Sequence, residues 1–306
     1  MRNAFADAIT SLGDEYPELV MLAGDIGNRL FDKFKDKYPQ RFYNCGVAEA
    51  NMTGLAAGLA SCGLRPITYT ITPFNTVRCL EQIRLDICYP NLPVIVVGTG
   101  AGLSYANLGA THHAMEDIAL LRTLPNMHVV CPADAVEVRE AVRDALRLAR
   151  PTYIRIGKKG EPRIHAQPPA LRIGEGITVR NGEDVVLLSV GNMIAPSLAC
   201  AEMLQERGIS AQVVSLHTVK PLDEALLTDS FAQRKLVVVI EEHSCIGGAG
   251  SAVLEWGHAR RLPLDKLLCF AGPDRFLSGC GEQDEARELL GLTAEHISEQ
   301  ILARLR

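Results

Sequence analysis

The sequence predicts an α/β protein of two domains, each a mostly parallel sheet covered by helices on both faces, a three-layer arrangement. Its 306 residues exceed the ~100–200 usual for one domain. In both halves, short apolar runs of strand length alternate with segments of helical periodicity, and strands separated by helices pair in parallel. Between the halves, Gly157 to Pro169 carries Lys158, Lys159, Gly160, Pro162 and Pro168, a linker composition that sets a boundary near residue 170.

Taken in order, Ala4, Phe5, Ala8, Ile9 and Leu12 stand at helical spacing, and residues 19–24 read as a buried strand ending at Asp25. The turn Asp25-Ile26-Gly27-Asn28 follows, at the strand end where open α/β sheets hold ligands; a capping or turn role explains Asp25 equally well. Residues 41–44 form a short second strand. The helix over 48–61 begins with Glu49, a carboxylate among small and apolar residues, where a charge is costly unless something polar meets it. On that helix Gly54, Ala57, Gly58 and Ser61 recur at i+3 and i+4, so one face lets another backbone approach closely, with a subunit contact as one use.

Residues 65–70 are β-rich and lead, past Pro73, to a helix holding Phe74, Arg78, Gln82 and Arg84. Residues 92–97 are the next strand. The loop Gly98-Thr99-Gly100-Ala101-Gly102-Leu103-Ser104 looks like a phosphate cradle but matches neither the dinucleotide nor the P-loop glycine pattern. His112 and His113 stand side by side on a strand-to-helix loop, a setting more often solvent-facing or metal-binding than catalytic, yet without the spacing of a metal motif. Strands over 128–132 and 152–156 flank a helix over 135–148.

The second half repeats the rhythm, with strands over 184–190, 211–216 and 236–240, a helix over 195–207 and another after Gly247-Gly248. Glu241, Glu242 and His243 read as a solvated strand end rather than a catalytic cluster.

A formal net charge of -5 spread along the chain provides no basic stripe for nucleic acid and no polybasic membrane anchor. The longest apolar run, near residues 92–97, is far short of the ~20 residues that span a bilayer. Nine cysteines without a CxxC pair, several in apolar runs (Cys62, Cys79, Cys88, Cys131, Cys200, Cys269), read as reduced, packed thiols of a cytoplasmic protein. The first residues include Asp7 and no long apolar stretch, which argues against a signal peptide.

The stretch Gly46-Val47-Ala48-Glu49-Ala50-Asn51-Met52, continuing through Gly54-Leu55-Ala56-Ala57-Gly58, resembles the glutamate motif of thiamine-diphosphate enzymes of the transketolase family. The similarity continues in order through Gly24-Asp25, Pro73-Phe74 with Arg78, Glu81-Gln82-Ile83-Arg84, Gly109-Ala110-Thr111-His112, Leu124-Pro125-Asn126-Met127 and Val219-Lys220-Pro221-Leu222. It spans nearly the whole chain but matches only the C-terminal half of a full transketolase: a pyrimidine-binding domain over 1–165 and a C-terminal domain over 173–306. The family's Gly-Asp-Gly metal motif is absent. The resemblance therefore implies a separate N-terminal transketolase subunit that brings Mg2+ and the diphosphate site of thiamine diphosphate, with the cofactor between chains in a two-plus-two heterotetramer.

The same resemblance assigns roles. Glu49 hydrogen-bonds the pyrimidine N1' of thiamine diphosphate, so that the ring's own amino group can take the C2 proton; in an apolar pocket such a carboxyl shares a proton instead of merely carrying charge. Phe74 stacks on the pyrimidine, Ile71 stands where the family has a further aromatic, and Asp25 lies beside the cofactor. His112 hydrogen-bonds a sugar hydroxyl or developing alkoxide. Arg2 and Lys158 match positions that hold a sugar phosphate, Lys158 replacing an arginine fork with a point charge; a solvated linker lysine explains it equally well. Two departures, Leu108 in place of an aspartate that contacts a substrate hydroxyl and His113 in place of glutamine, sit at the sugar end and point away from the standard pentose phosphates.

The activity implied is transfer of a two-carbon ketol unit from a ketose, phosphorylated in the expected case, to an aldose. The nearest alternative is the beta subunit of a 2-oxo acid or acetoin dehydrogenase; Thr111-His112-His113 and Glu81-Gln82-Ile83-Arg84 favour the ketol-transfer side. A non-catalytic scaffold or regulatory subunit is the alternative of another class, opposed by the retained Glu49, Phe74 and His112.

Overall fold

Helix α1 (Arg2–Glu15) buries Phe5, Ile9 and Leu12, spaced as one helical face. The computed structural model describes residues 1–306 apart from Asn28, Lys159 and Cys280, so Asn28 of the expected turn lies outside the described residues. After α1 come β1 (Leu19–Ala23), α2 (Asp32–Lys37), β2 (Phe42–Asn44), α3 (Glu49–Ser61), β3 (Arg65–Ile71), α4 (Thr72–Asn75), α5 (Leu80–Gln82), β4 (Ile95–Thr99), α6 (Asp117–Arg122), β5 (His128–Val130), α7 (Ala135–Leu148) and β6 (Thr152–Ile156). The second half holds β7 (Ile177–Arg180), β8 (Val185–Ser189), α8 (Ile194–Glu206), β9 (Ala211–Ser215), β10 (Thr218–Lys220), α9 (Glu224–Gln233), β11 (Leu236–Ser244), α10 (Ala249–Ala259), β12 (Leu267–Gly272), α11 (Gln283–Leu290) and α12 (Ala294–Leu305).

Two sheets result, as the alternating pattern predicts. The first has seven strands in the order β10-β5-β6-β4-β3-β1-β2 and the second five in the order β12-β11-β8-β9-β7. Among the strand pairs of the described residues, only β10 against β5 and β7 against β9 run antiparallel. Strand β10 comes from beyond the linker, yet it pairs Thr218 with Val130 at the edge of the first sheet, so the two halves interlock.

The strands of the first sheet alternate their side chains between two apolar layers. Leu19 and Met21 of β1 join Phe5 and Ile9 of α1 and Val138 of α7. Val20 and Leu22 join Met52 and Ala56 of α3 in a cluster that continues to Val186 and Leu188 of the second sheet. Both faces of β1 are therefore covered, as a continuous apolar strand requires.

Four expectations are corrected. The helix expected over Phe74–Arg84 is instead α4, α5 and a wide turn at Ile83–Cys88. Thr76 leaves helical space at φ -122° and ψ -74°, and the buried Asn75 amide donates to Thr68 and Val97, which ties the chain to the strands. The strand expected at 92–97 begins only at Ile95, because Pro93 has no N–H and the Val94 N–H turns back to Leu92. Strand β11 runs on to Ser244 and buries Glu241, Glu242 and His243, so these are not a solvated strand end. Of the thiols expected to be packed, Cys79, Cys88, Cys131 and Cys200 are buried, whereas Cys62 and Cys269 are exposed; none of the described cysteines forms a disulfide. Among the described residues no helix is long and apolar enough to cross a membrane.

The first sheet's order decides where a ligand fits. From β1 the chain moves to β2 on one side, and from β3 to β4 on the other, so the order reverses between β1 and β3. In open α/β sheets the crevice beyond the carboxyl ends at such a reversal is the ligand site.

Candidate active site

Glu49 opens α3 beside this crevice. The N-cap residue is Ala48, which makes no side-chain cap, so the helix N-terminus favours a nearby carboxylate. Glu49 is 2% exposed. A Cβ at Gly24 would stand 3.1 Å from Thr70 Cβ and 3.4 Å from Glu49 Cγ, so glycine at the end of β1 leaves the carboxylate its space. Its polar partner within this chain is Arg78, whose Nη1 donates to Oε2 at 2.7 Å.

From Arg78 a row of side chains runs along the carboxyl edge of the sheet. The guanidinium carbon lies 4.6 Å from the centre of the Phe74 ring. Phe74 meets His112 at 5.2 Å between ring centres, with planes inclined 69°, and His112 meets Tyr105 at 6.0 Å. Lys158 Nζ stands 4.5 Å from the Tyr105 ring centre, and Arg2 Nε donates to the Lys158 carbonyl at 2.8 Å. Arg2 and Lys158, at opposite ends of the first half, are thus neighbours. Thr111 Oγ1 lies 2.9 Å from His112 Nδ1. Burial, followed by the neighbouring His113, lowers the His112 pKa from its ordinary value, which favours a neutral imidazole as hydrogen-bonding group.

Asp25 stands exposed just past β1 with φ 54°, in the left-handed region, a conformation that costs of order 1–3 kcal/mol and clusters at functional sites. Asn44 Nδ2 donates to Asp25 Oδ1 at 2.9 Å, and Asn44 Oδ1 accepts from the Gly46 N–H. Ile71 ends β3 directly before α4 and is half-buried.

His113 does not join this row. It is 7% exposed and its Nε2 lies 3.0 Å from the Ala106 carbonyl, so it pins the turn from within, which corrects its expected place against a substrate. Leu108, on the same turn, is 49% exposed. Asn44 and Tyr105 are not among the residues that the sequence pattern singles out, and Arg78 carries no assigned role there. A Cβ at Gly100 would stand 2.2 Å from the Tyr105 ring, so Gly100 makes room for Tyr105; only the lone aromatic within a glycine-rich loop hinted at it. Among the described residues no three His, Cys, Asp or Glu side chains gather as a metal site.

Comparison with known proteins gives matches over both halves. The family model described as the transketolase pyrimidine binding domain matches residues 1–161, and the transketolase C-terminal domain matches 174–297. A transketolase C-terminal section of Methanocaldococcus jannaschii is 34% identical, over 100% of this chain and 96% of that protein. The 6-deoxy-6-sulfo-D-fructose transketolase subunit of Clostridium sp. strain MSTE9 is 35% identical, over 97% of this chain and 92% of its own. A split-gene transketolase solved as an inactive β4 tetramer is 38% identical, with a TM-score of 0.91 over 99% of this chain and 97% of that one.

Proposed function

The chain belongs to the transketolase family, and from that premise we propose that it is the C-terminal subunit of a split, thiamine-diphosphate-dependent transketolase, with a pyrimidine-binding domain over 1–165 and a C-terminal domain over 173–306. It moves a two-carbon ketol unit from a ketose, phosphorylated in the expected case, to an aldose. The observation that carries this reading is the row Glu49, Phe74, His112 at the crevice between β1 and β3: a buried carboxylate, an aromatic face and an imidazole 5.2 Å from that face.

These residues fit the pyrimidine end of the cofactor. Only one oxygen of Glu49 is engaged by Arg78, which leaves Oε1 for a ring nitrogen, and Phe74 is a half-buried aromatic ring suited to a flat ligand. When bound, thiamine diphosphate would supply the nucleophilic ring carbon that ketol transfer requires. Glu49 holds the proton at N1' of the pyrimidine, in a low-dielectric setting that strengthens the bond. Phe74 and Ile71 cover the ring, and Asp25, steadied by Asn44, flanks it. His112 hydrogen-bonds the substrate oxygen on which charge develops. Lys158 and Arg2, next to Tyr105, take the phosphate end of the sugar.

A separate N-terminal subunit carries the Mg2+ and diphosphate contacts, and the assembly is a two-plus-two heterotetramer acting in the cytoplasm. The exposed apolar side chains Val47, Leu55, Val77 and Leu108, and the uncovered small-residue face of α3 at Gly54 and Gly58, where an added Cβ would meet nothing within 4 Å, support closure by other chains. The inactive β4 form of the related split-gene enzyme supports the need for a second kind of subunit. The test is ketol transfer measured with the purified chain, with thiamine diphosphate and Mg2+, in the absence and presence of the partner subunit. Activity appears only with the partner; turnover by the chain alone refutes the split-enzyme reading.

A further inference from the structure

Glu242 is the buried group whose surroundings connect the second sheet to the proposed site. It lies on β11 with 0% exposure. Its Oε1 accepts from the Leu103 N–H at 2.6 Å, across 139 residues of sequence, and its two oxygens take Gln283 Nε2 at 2.8 and 3.1 Å. Arg287 Nε donates to Oε2. The backbone carbonyl of Glu242 accepts from Arg155 Nη2 at 2.9 Å.

Leu103 belongs to the loop that leaves β4, and the turn it begins carries Tyr105 and His112 before closing at Ala114. Both ends of that turn are tied to Glu242. At the first end, Gly102 has φ +55°, and a Cβ there would stand 2.3 Å from Glu242 Oε1, so the contact requires glycine. At the second end, the Ala114 N–H donates to the Gly102 carbonyl at 2.8 Å. The Ala114 carbonyl accepts at 2.6 Å from Arg155 Nη2, the nitrogen that also reaches Glu242.

We infer that Glu242 is a positioning residue: a carboxylate from the second sheet that sets where the His112–Tyr105 turn of the first sheet stands. Its consequence for turnover rests on the role proposed for His112. The carboxyl group matters because it has two oxygens that accept from an N–H, an amide and a guanidinium at once, whereas glutamine has one acceptor oxygen and brings donors of its own. In Glu242→Gln, Arg287 and the Leu103 N–H cannot both keep their partner, and the turn is released while the fold around it retains its apolar packing.

The experiment uses the full chain, labelled for amide exchange and for histidine ring titration. In Glu242→Gln, the Leu103 and Ala114 amides exchange at least tenfold faster relative to Met21 of β1 and Val238 of β11, and the His112 ring titrates closer to its ordinary value because water reaches it. Gly102→Ala, which attacks the same contact from the opposite side, gives the same two changes, and the double variant adds little to either; it also serves if Glu242→Gln does not fold. The inference is overturned if exchange at Leu103 and Ala114 rises only in step with Met21 and Val238, or if the His112 titration does not move. A released turn with unchanged ketol transfer in the assembled enzyme leaves the positioning intact and refutes the proposed role of His112 instead.

Discussion

Arg78 donates to Glu49 across 2.7 Å, from a side chain 47% exposed to one 2% exposed, and its guanidinium simultaneously covers Phe74 at 4.6 Å. One flexible cation therefore touches both groups proposed to meet the pyrimidine ring. Removing one partner of a buried ion pair strands the other charge, and with Arg78 half in solvent the penalty is that of an unsatisfied buried group.

For Arg78→Met the expected loss is about 1–3 kcal/mol of unfolding free energy in the isolated chain, read by urea denaturation. Glu49→Gln combined with it recovers part of that loss. A strictly additive double variant would show that the pair does not interact.

Glu49→Gln in the assembled enzyme lowers kcat by about 10²–10⁴, the usual range for one acid–base group. The measurement is ketol transfer at saturating thiamine diphosphate, and a variant within tenfold of native contradicts the role of Glu49.

The Asp117–Arg155 pair has side chains 1% exposed on both sides and a separation of 2.7 Å, so neither charge can turn to solvent if the other is lost. Asp117→Asn leaves the Arg155 guanidinium without its counter-charge and costs about 3–5 kcal/mol, checked by the shift of the urea midpoint at unchanged m-value.

His165 binds the buried Glu137 at 2.8 Å, and that hydrogen bond raises the histidine pKa above its ordinary value. The pair therefore contributes its full stability below the unfolded histidine value of about 6.5, and the contribution disappears as pH rises through the higher folded value. Thermal melts from pH 6 upward should show a decline in Tm that is shallower in His165→Gln; parallel curves would refute the linkage.

Leu108→Asp introduces at the turn of His112 the aspartate that the family resemblance leads one to expect at that position. The expected outcome is a gain of about tenfold in kcat/KM for a pentose phosphate relative to the native enzyme on the same sugar, since a hydrogen bond from a charged group to a substrate hydroxyl contributes about 1.5–3 kcal/mol. An unchanged ratio would place Leu108 outside the sugar site.

Much of the fold was legible in local pattern. The helix expected over 135–148 is α7 (Ala135–Leu148), its start held by the Asp134 side chain on the Val136 and Glu137 N–H groups, and β1 follows from five consecutive apolar residues. The α4–α5 break was not legible, because Asn75 spends its amide on strands β3 and β4 that periodicity cannot see. The expectation for Glu241–His243 failed for a related reason: charged residues read as solvated until Arg287, Gln283 and the N–H groups of α10 and Leu103 are brought to them. His112 and Phe74 were named from the motif, but that His113 points inward depends on the Ala106 carbonyl across a tight turn.

The sequence by itself determined most of the first sheet's strands, the alternating α/β plan and the family, because periodicity, turn chemistry and motif order are written locally; the grouping of Glu49, Phe74 and His112 came from the resemblance. The tertiary structure alone decided what meets each charge: Arg78 for Glu49, 29 residues away, Lys158 beside Arg2, 156 residues away, and Leu103 for Glu242, 139 residues away. Partners so distant in the chain have no common period, and a buried charge takes whichever donor the packing of two sheets delivers to it.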